Sequence, residues 1–271
     1  QTKSGAVKSQ WPDHPISNTM RIAIASAKLP EKQRKKYGDA VSNVLKKMPD
    51  FALDRMATNL QKSNFYADAK TMALAAIDQL PQDAQLKEFR DSIEKGERPA
   101  PIGAYTSHNQ ELHLAGAIQV SDSGLAGGKY PYESGNESEI YSHEFGHVVD
   151  GPKHELSSNP AWQDAWNQEI AGMMGGASLT QYAAESPKEG FAEFSRLAYG
   201  SKVAHTAIET DFPKASRFFK VHGLWPNKKS KAKGGAFQIS QESSAKERPH
   251  YAEGTPLAEL DPLEIVPPDQ V

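Results

Sequence analysis

The sequence predicts an α+β fold that is mostly helical and contains one small sheet. Apolar residues recur at helical spacing in 31–47 and in 50–61, and two short strand patterns surround a polar turn within 105–114. Two further helical patterns in the second half of the chain carry histidine and glutamate. Because 38% of the 271 residues are hydrophobic, the chain can also bury a sizeable core.

The first part of the chain, 17–95, has the pattern of helices separated by prolines. Pro30 and Pro49 each stand at the start of a helical pattern, where proline is favoured. In chain order, the predicted elements are helix 31–47, helix 50–61, an apolar segment 71–80 that is either a helix or a strand, and helix 83–95.

The middle of the chain predicts a hairpin followed by a long irregular loop, 121–138. We expect one domain at 12–225, with a helical N-terminal part at 12–98 and a second part, the predicted catalytic core, at 99–225. The composition of 226–271 shifts to proline, lysine and serine, which predicts a tail that is poorly ordered or packed on the surface.

Charge and cysteine content narrow the classes of function. The formal net charge of -3 gives no electrostatic reason to expect nucleic acid as a partner. No apolar run reaches the roughly 18 to 20 residues that span a bilayer, so we expect no membrane span. The chain has no cysteine, and any metal site must therefore rest on histidine, aspartate and glutamate.

A His-Glu-x-x-His pattern lies at 143–147. Residues four apart share one face of a helix, so His143 and His147 can bind a single zinc ion, with Glu144 beside the water at the open position. Asn136 is the predicted N-cap of this helix, with Glu139 completing a capping box. Catalytic zinc usually takes three protein ligands, so one more ligand is needed.

The metzincin pattern does not supply the third ligand. It requires glycine three residues and histidine six residues after the second histidine. Those positions hold Asp150 and Lys153, whereas Gly151 and His154 come one residue too late.

A second helix, predicted at 186–199, supplies a better candidate. Glu189 and Glu193 share one of its faces, so Glu189 can bind zinc while Glu193 orients a histidine ligand. The alternative is that Ser186 and Glu189 form only a capping box and that Glu193 is a solvated charge. Tyr182 is a candidate donor to an oxyanion, although a tyrosine in this place more often packs against its neighbours.

Three separated blocks, 143–150, 179–182 and 189–197, appear in an order that resembles the catalytic domain of anthrax lethal factor, a family that includes bacterial Pro-Pro endopeptidases. The resemblance is strongest over 103–197. It implies a zincin-like metallopeptidase domain, with Tyr182 as oxyanion donor and Glu144 as general base. It also implies zinc ligands at His143, His147 and Glu189.

The same resemblance implies that Glu111–Ala115 is an edge strand with which an extended peptide substrate pairs. The expected function is therefore zinc-dependent endopeptidase activity, using a metal-activated water with Glu144 as general base. Two alternatives stay open: a catalytically silent module that binds peptide or protein on a zincin fold, and a purely structural zinc domain. The compartment is not fixed, and secretion or the cell envelope is favoured.

Overall fold

The computed structural model describes residues 11–80, 84–98, 100–101, 103–115, 128–133, 135–171 and 179–226. The predicted tail beyond 226 lies outside these ranges, and so do residues 121–127 and 134 of the predicted loop 121–138. Within them, no helix is both long and apolar enough to cross a membrane. The expected fold class is confirmed at the level of an α+β fold, with many helices and one three-stranded sheet in the described residues.

The N-terminal part is built mainly from helices. Their bounds are α1 Pro15–Ser26, α2 Glu31–Leu45, α3 Asp50–Asn59, α4 Ala69–Ile77 and α5 Ala84–Lys95. The predictions for α2, α3 and α5 agree to within two residues at each end, and the undecided segment 71–80 lies largely in helix α4. Buried apolar side chains from α1, α2 and α3 join the main hydrophobic core, whereas α4 and α5 pack on each other in a smaller cluster.

The sheet contains a strand that the sequence pattern did not predict. Strand β1, Lys62–Tyr66, lies between α3 and α4 and pairs in parallel with β3, Glu111–Ala115. Strand β2, Gly103–Thr106, pairs with β3 in the antiparallel direction, so the predicted hairpin around 107–110 is present.

The order β1-β3-β2 contradicts the expected edge position of Glu111–Ala115. That strand is central because β1, which comes from a region predicted to be helical, covers its second side. Among the described residues, the edges of the sheet are β1 and β2.

Helix α6, Glu137–Asp150, packs against strands β2 and β3 and against helices α2 and α3. Its buried apolar side chains include Tyr141 and Phe145, and the Tyr141 ring makes edge contacts with the rings of Tyr37 and Phe65. One continuous core therefore joins α2, β1 and α6.

The C-terminal half packs against α6 through residues 187–200. Helix α7, Pro160–Ala165, continues as a π-helical turn, Trp166–Ala171. A 3-10 turn, Tyr182–Ala184, precedes helix α8, Pro187–Ser195, which continues as a second π-helical turn, Arg196–Gly200. Helices α9, His205–Asp211, and α10, Pro213–Val221, follow. Trp162 is fully buried and contacts Phe191, Phe194, Phe218 and Phe219, so an aromatic cluster holds α7, α8 and α10 together.

Candidate metal centre

Helix α6 presents His143 and His147 one turn apart, and both side chains are buried. Helix formation puts the pair on the same face, opposite the apolar stripe that packs into the core. Asn136 is the N-cap residue as predicted, but its side chain makes no capping hydrogen bond. The predicted capping box is therefore wrong, because the Glu139 carboxylate accepts a hydrogen bond from the backbone N–H of Glu133 instead.

Helix α8 begins at a real cap, since the Ser186 hydroxyl accepts a hydrogen bond from the backbone N–H of Glu189 at 3.2 Å. The Glu189 side chain does not return to complete a box. Its Oε2 atom lies 3.3 Å from Nε2 of His143 and 3.2 Å from Nε2 of His147. The capping serine thus starts the helix at a position that aims the carboxylate at both imidazoles.

Helices α6 and α8 approach closely enough for these side chains to meet. They pack tightly at Gly146, where a Cβ atom would lie 2.8 Å from the Cα of Ala192 and 2.8 Å from the Cβ of Ser195. No side chain fits between the helices at this point. The glycine within the His-Glu-Phe-Gly-His pattern therefore sets the distance between the helices that carry the histidines and the glutamate.

The three ligand atoms form a compact, nearly equilateral triangle. The two histidine Nε2 atoms are 3.1 Å apart, and Glu189 Oε2 lies 3.3 and 3.2 Å from them. Two ligand atoms that bind one zinc ion tetrahedrally at about 2.0–2.1 Å are separated by about 3.3 Å. Glu189 Oε2 is buried and makes no hydrogen bond in the described structure. A buried group of His143, His147 and Glu189 with this spacing fits a divalent metal ion.

The charge of Glu189 suits the same role. Burial opposes ionisation of this carboxyl, but the nearby imidazoles outweigh burial and hold its pKa well below the ordinary value. The carboxylate is therefore anionic and available as a ligand at neutral pH.

Glu193, one turn after Glu189, contacts His143 from behind. Its Oε1 atom lies 2.9 Å from Nδ1 of His143, so the Nε2 atom of that ring is left to face the triangle. Burial opposes ionisation of Glu193, but the charge of Arg196 and the hydrogen bond to His143 outweigh burial and lower its pKa to about 2. An ionised partner of this kind fixes the orientation and tautomer of a metal-binding histidine.

Glu144 lies on the same helix, next to His143, and its side chain is buried. Burial raises its pKa, while the two imidazoles act in the opposite direction. The first residue of β2 lies against it: a Cβ atom built on Gly103 would be only 2.5 Å from the Glu144 Oε1 atom. Strand β2 thus passes directly beside the carboxyl that the sequence nominates as general base.

Tyr182 lies in the 3-10 turn before α8, and its ring centre is 5.6 Å from that of His143. Burial, together with the negative charges of Glu189 and Glu144, raises its pKa well above the ordinary value, so the hydroxyl keeps its proton. Trp166 holds this turn in place by donating its indole N–H to the Ala183 carbonyl at 2.8 Å.

The structure brings all six predicted site residues to one place: His143, Glu144, His147, Tyr182, Glu189 and Glu193. His154, which comes one residue too late for the metzincin pattern, is not part of this group. Its Nδ1 atom instead lies 3.3 Å from Oδ2 of Asp150. The sequence did not indicate Arg196, Tyr132, Thr180 or Gly103. Of these, only Arg196 could have been found from the sequence, because it follows Glu193 by three residues and so lies on the same helical face.

No protein-family model matches this chain, and no curated protein matches it. The resemblance to the lethal factor group therefore stays a prediction from three short blocks of residues.

Proposed function

We propose that this protein is a zinc-dependent endopeptidase that hydrolyses peptide bonds of an extended polypeptide. The observation that carries the proposal is the buried triangle of His143, His147 and Glu189, with the Glu144 carboxyl and the Tyr182 hydroxyl beside it. A structural site would need only the ligands. Here two further groups lie beside the ligands. The buried Glu144 carboxyl, with its raised pKa, is suited to proton transfer, and the protonated Tyr182 phenol is suited to stabilising an oxyanion.

His143, His147 and Glu189 would hold the metal, and three protein ligands leave a position open. When bound there, a zinc ion lowers the pKa of a water molecule and polarises a carbonyl group. Imidazole and carboxylate are donors that suit zinc, although they also bind other divalent ions of the first transition row.

Glu144 moves the proton in this proposal. Its carboxylate accepts a proton from the water as the water oxygen attacks the peptide carbonyl carbon, and then delivers that proton to the nitrogen as the C–N bond breaks. Burial favours this cycle because it brings the pKa of the carboxyl nearer to neutrality, where a group can both accept and release a proton.

Tyr182 stabilises the negative charge that forms on the carbonyl oxygen. A raised pKa keeps its hydroxyl protonated, so it acts as a hydrogen-bond donor through the reaction. Loss of one donor of this kind often lowers kcat by about 10²-fold or more.

Strand β2 is the surface on which we place the substrate. Its Gly103–Thr106 backbone pairs with β3 on one side, and no described strand covers its other side. An extended peptide can add to such an edge through backbone hydrogen bonds. Since Gly103 lies against Glu144, a peptide on this edge would pass the general base.

The test is metal analysis of the purified protein together with cleavage-site profiling on a broad peptide library. We expect one zinc ion per chain and cleavage that stops when the metal is chelated and returns when zinc is added. Glu144→Gln is the matched control, because the amide keeps the shape of the side chain but cannot accept the proton. That variant should keep its zinc and lose turnover by several orders of magnitude.

Each outcome has a defined meaning. Stoichiometric zinc without cleavage of any peptide would favour a module that binds peptides on the same fold. Cleavage at near wild-type rate by Glu144→Gln would remove the general-base assignment. Purified protein that takes up no divalent metal would end the proposal.

A further inference from the structure

Arg196 is a charged side chain with no exposure to solvent, at the point where α8 changes into a π-helical turn. A buried guanidinium is costly unless its donors are paired, so its partners indicate why it is there. Its Nε atom donates to Glu193 Oε2 at 3.0 Å and its Nη2 atom donates to the Tyr130 carbonyl at 2.6 Å. Its Nη1 atom lies 3.5 Å from Glu139 Oε1, and its Cζ atom lies over the Tyr132 ring, 4.2 Å from the ring centre.

These contacts converge on the carboxylate that supports His143. Glu193 accepts hydrogen bonds from the Tyr132 hydroxyl, from the Thr180 hydroxyl at 3.0 Å and from Arg196, in addition to its contact with His143. All four donors come from different parts of the chain. Both carboxylate oxygens are occupied, so Glu193 has little freedom to turn away from the imidazole.

The same arginine also fixes the segment that leads into α6. Residues 128–133 are held by the Arg196 bond to the Tyr130 carbonyl, by stacking of the guanidinium on Tyr132 and by the Tyr130 N–H bond to the Leu179 carbonyl. Leu179 begins the stretch that carries Thr180 and Tyr182. Arg196 therefore contacts Glu193 on α8 and the segment before α6 directly, and it is linked to the turn of Tyr182 through Tyr130 and Glu193.

We propose that Arg196 is a positioning residue of the metal centre: through Glu193 it fixes the His143 ring, and through Tyr130 and Tyr132 it locks segment 128–133 to the same carboxylate. This inference rests on metal binding by the His143, His147 and Glu189 group proposed above, and not on peptide hydrolysis. Arginine suits this place because three separate nitrogens of its planar group reach three partners while the plane lies over an aromatic ring; lysine has one nitrogen and no plane to stack.

The experiment compares Arg196→Lys with Arg55→Lys. Arg55 is a matched control, because it also ties an end of α6, donating to the Val149 carbonyl at 2.6 Å and the Asp150 carbonyl at 3.1 Å, but it does not contact Glu193. Zinc affinity is measured by competition with a chelator, and the ligand geometry by the visible spectrum of the cobalt-substituted protein. Loss of an outer partner of a metal ligand lowers metal affinity about 10- to 100-fold, so we expect about 10-fold weaker zinc binding for Arg196→Lys.

A merely structural role predicts a different result. Both variants would then lower the melting temperature, and neither would change zinc affinity or the cobalt spectrum. We expect a changed spectrum and weaker zinc binding for Arg196→Lys alone. Equal zinc affinity in Arg196→Lys and wild type would overturn the proposal.

A double-mutant cycle tests whether Arg196 acts through Glu193. In the Glu193→Gln background, which already lacks the charged acceptor, Arg196→Lys should weaken zinc binding by less than about twofold. Additive effects of the two substitutions would show that Arg196 acts by another route and would overturn the assignment.

Hydrogen exchange of the metal-free protein keeps this inference separate from the proposed function. Arg196→Lys should speed backbone amide exchange in peptides covering 128–133 and 179–184, and Arg55→Lys should not. If wild-type protein bound no metal, the proposed function would fail. Unchanged amide exchange in these peptides of Arg196→Lys would independently show that Arg196 does not hold segment 128–133 in place.

Discussion

Two elements flank the ligand-bearing face of α6, and they differ in what they bring to it. Helix α8 contributes the charged side chains of Glu189, Glu193 and Arg196, which are hydrogen-bonded or ion-paired around the histidines. Strand β2 contributes a glycine, Gly103, whose missing side chain leaves room for Glu144. The candidate ligands and the candidate general base are thus contacted by different elements, and substitutions in the two elements should separate the proposed metal binding from the proposed proton transfer.

The two histidines also differ from each other, in the hydrogen-bond partner of the Nδ1 atom. His143 has an ionised partner on α8, whereas the Nδ1 atom of His147 is buried and has no hydrogen-bond partner in the described residues. The polar contacts of the second ring are made by its Nε2 atom, with Glu189 and with His143. The candidate metal centre is therefore asymmetric, because its hydrogen-bonding partners are concentrated on the α8 side.

The largest effect is expected from Glu189→Gln on the α8 side. Because the amide is a poor ligand and leaves both imidazoles without their shared anion, zinc affinity should fall by more than the roughly 100-fold that follows loss of an outer partner. Chelator competition measures this. The control is Glu185→Gln, at an exposed residue one turn earlier, which should bind zinc as wild type does.

A Gly103→Ala substitution in β2 should lower kcat and leave zinc affinity unchanged. The new methyl group would lie 2.5 Å from Glu144 Oε1, so the carboxyl must move. A displacement of about 1 Å can lower the rate about 10²-fold, and we expect a loss of kcat of that order with zinc affinity unchanged.

The matched control for that substitution is Ala104→Ser, whose side chain points to the other face of the strand and should leave kcat near that of wild type. A parallel loss of zinc from Gly103→Ala would contradict the division of roles between α8 and β2.

A smaller effect, on stability alone, is expected at His113 on the central strand. This ring is fully buried, its Nδ1 atom lies 3.0 Å from the Tyr66 hydroxyl, and burial lowers its pKa from 6.5 to about 4, with Glu111 opposing and Lys62 reinforcing the shift. Between pH 6.5 and pH 4 the unfolded chain binds the proton and the folded protein does not. Acidification through this window should therefore cost up to about 3 kcal/mol of unfolding free energy.

Urea unfolding at pH 7 and pH 4.5 measures the loss, which should shrink in His113→Gln. The control is His108→Gln, at the exposed residue of the turn 107–110, which should leave the pH dependence unchanged. An equal pH dependence in wild type and His113→Gln would show that another group is responsible.

The positions of the candidate ligands follow from local rules, which explains why the sequence could predict them. Residues four apart share a helical face, and Ser186 marks the start of α8, so the placement of His143, His147 and Glu189 on helix faces needs no knowledge of distant contacts. The bounds of α2 and α3 were predictable for the same reason, since helical periodicity is visible within a short window.

Features that depend on distant parts of the chain were not predictable. Strand β1 has only five residues with a weak alternating pattern, and it becomes a strand by pairing with β3, about fifty residues later. That pairing decides that β3 is central, so the edge strand was assigned wrongly. The partners of Arg196 lie as far back as Tyr130, and no local pattern joins them.

Backbone contact at Gly146 has a consequence for ion selection. Because the helices are already so close at Ala192 and Ser195, the ligand triangle has little room to contract. The ligand triangle is thus preformed, and binding of an ion would require little movement of the three side chains. Calcium, which prefers six to eight oxygen atoms at 2.3–2.6 Å, should be rejected on size and coordination number alone.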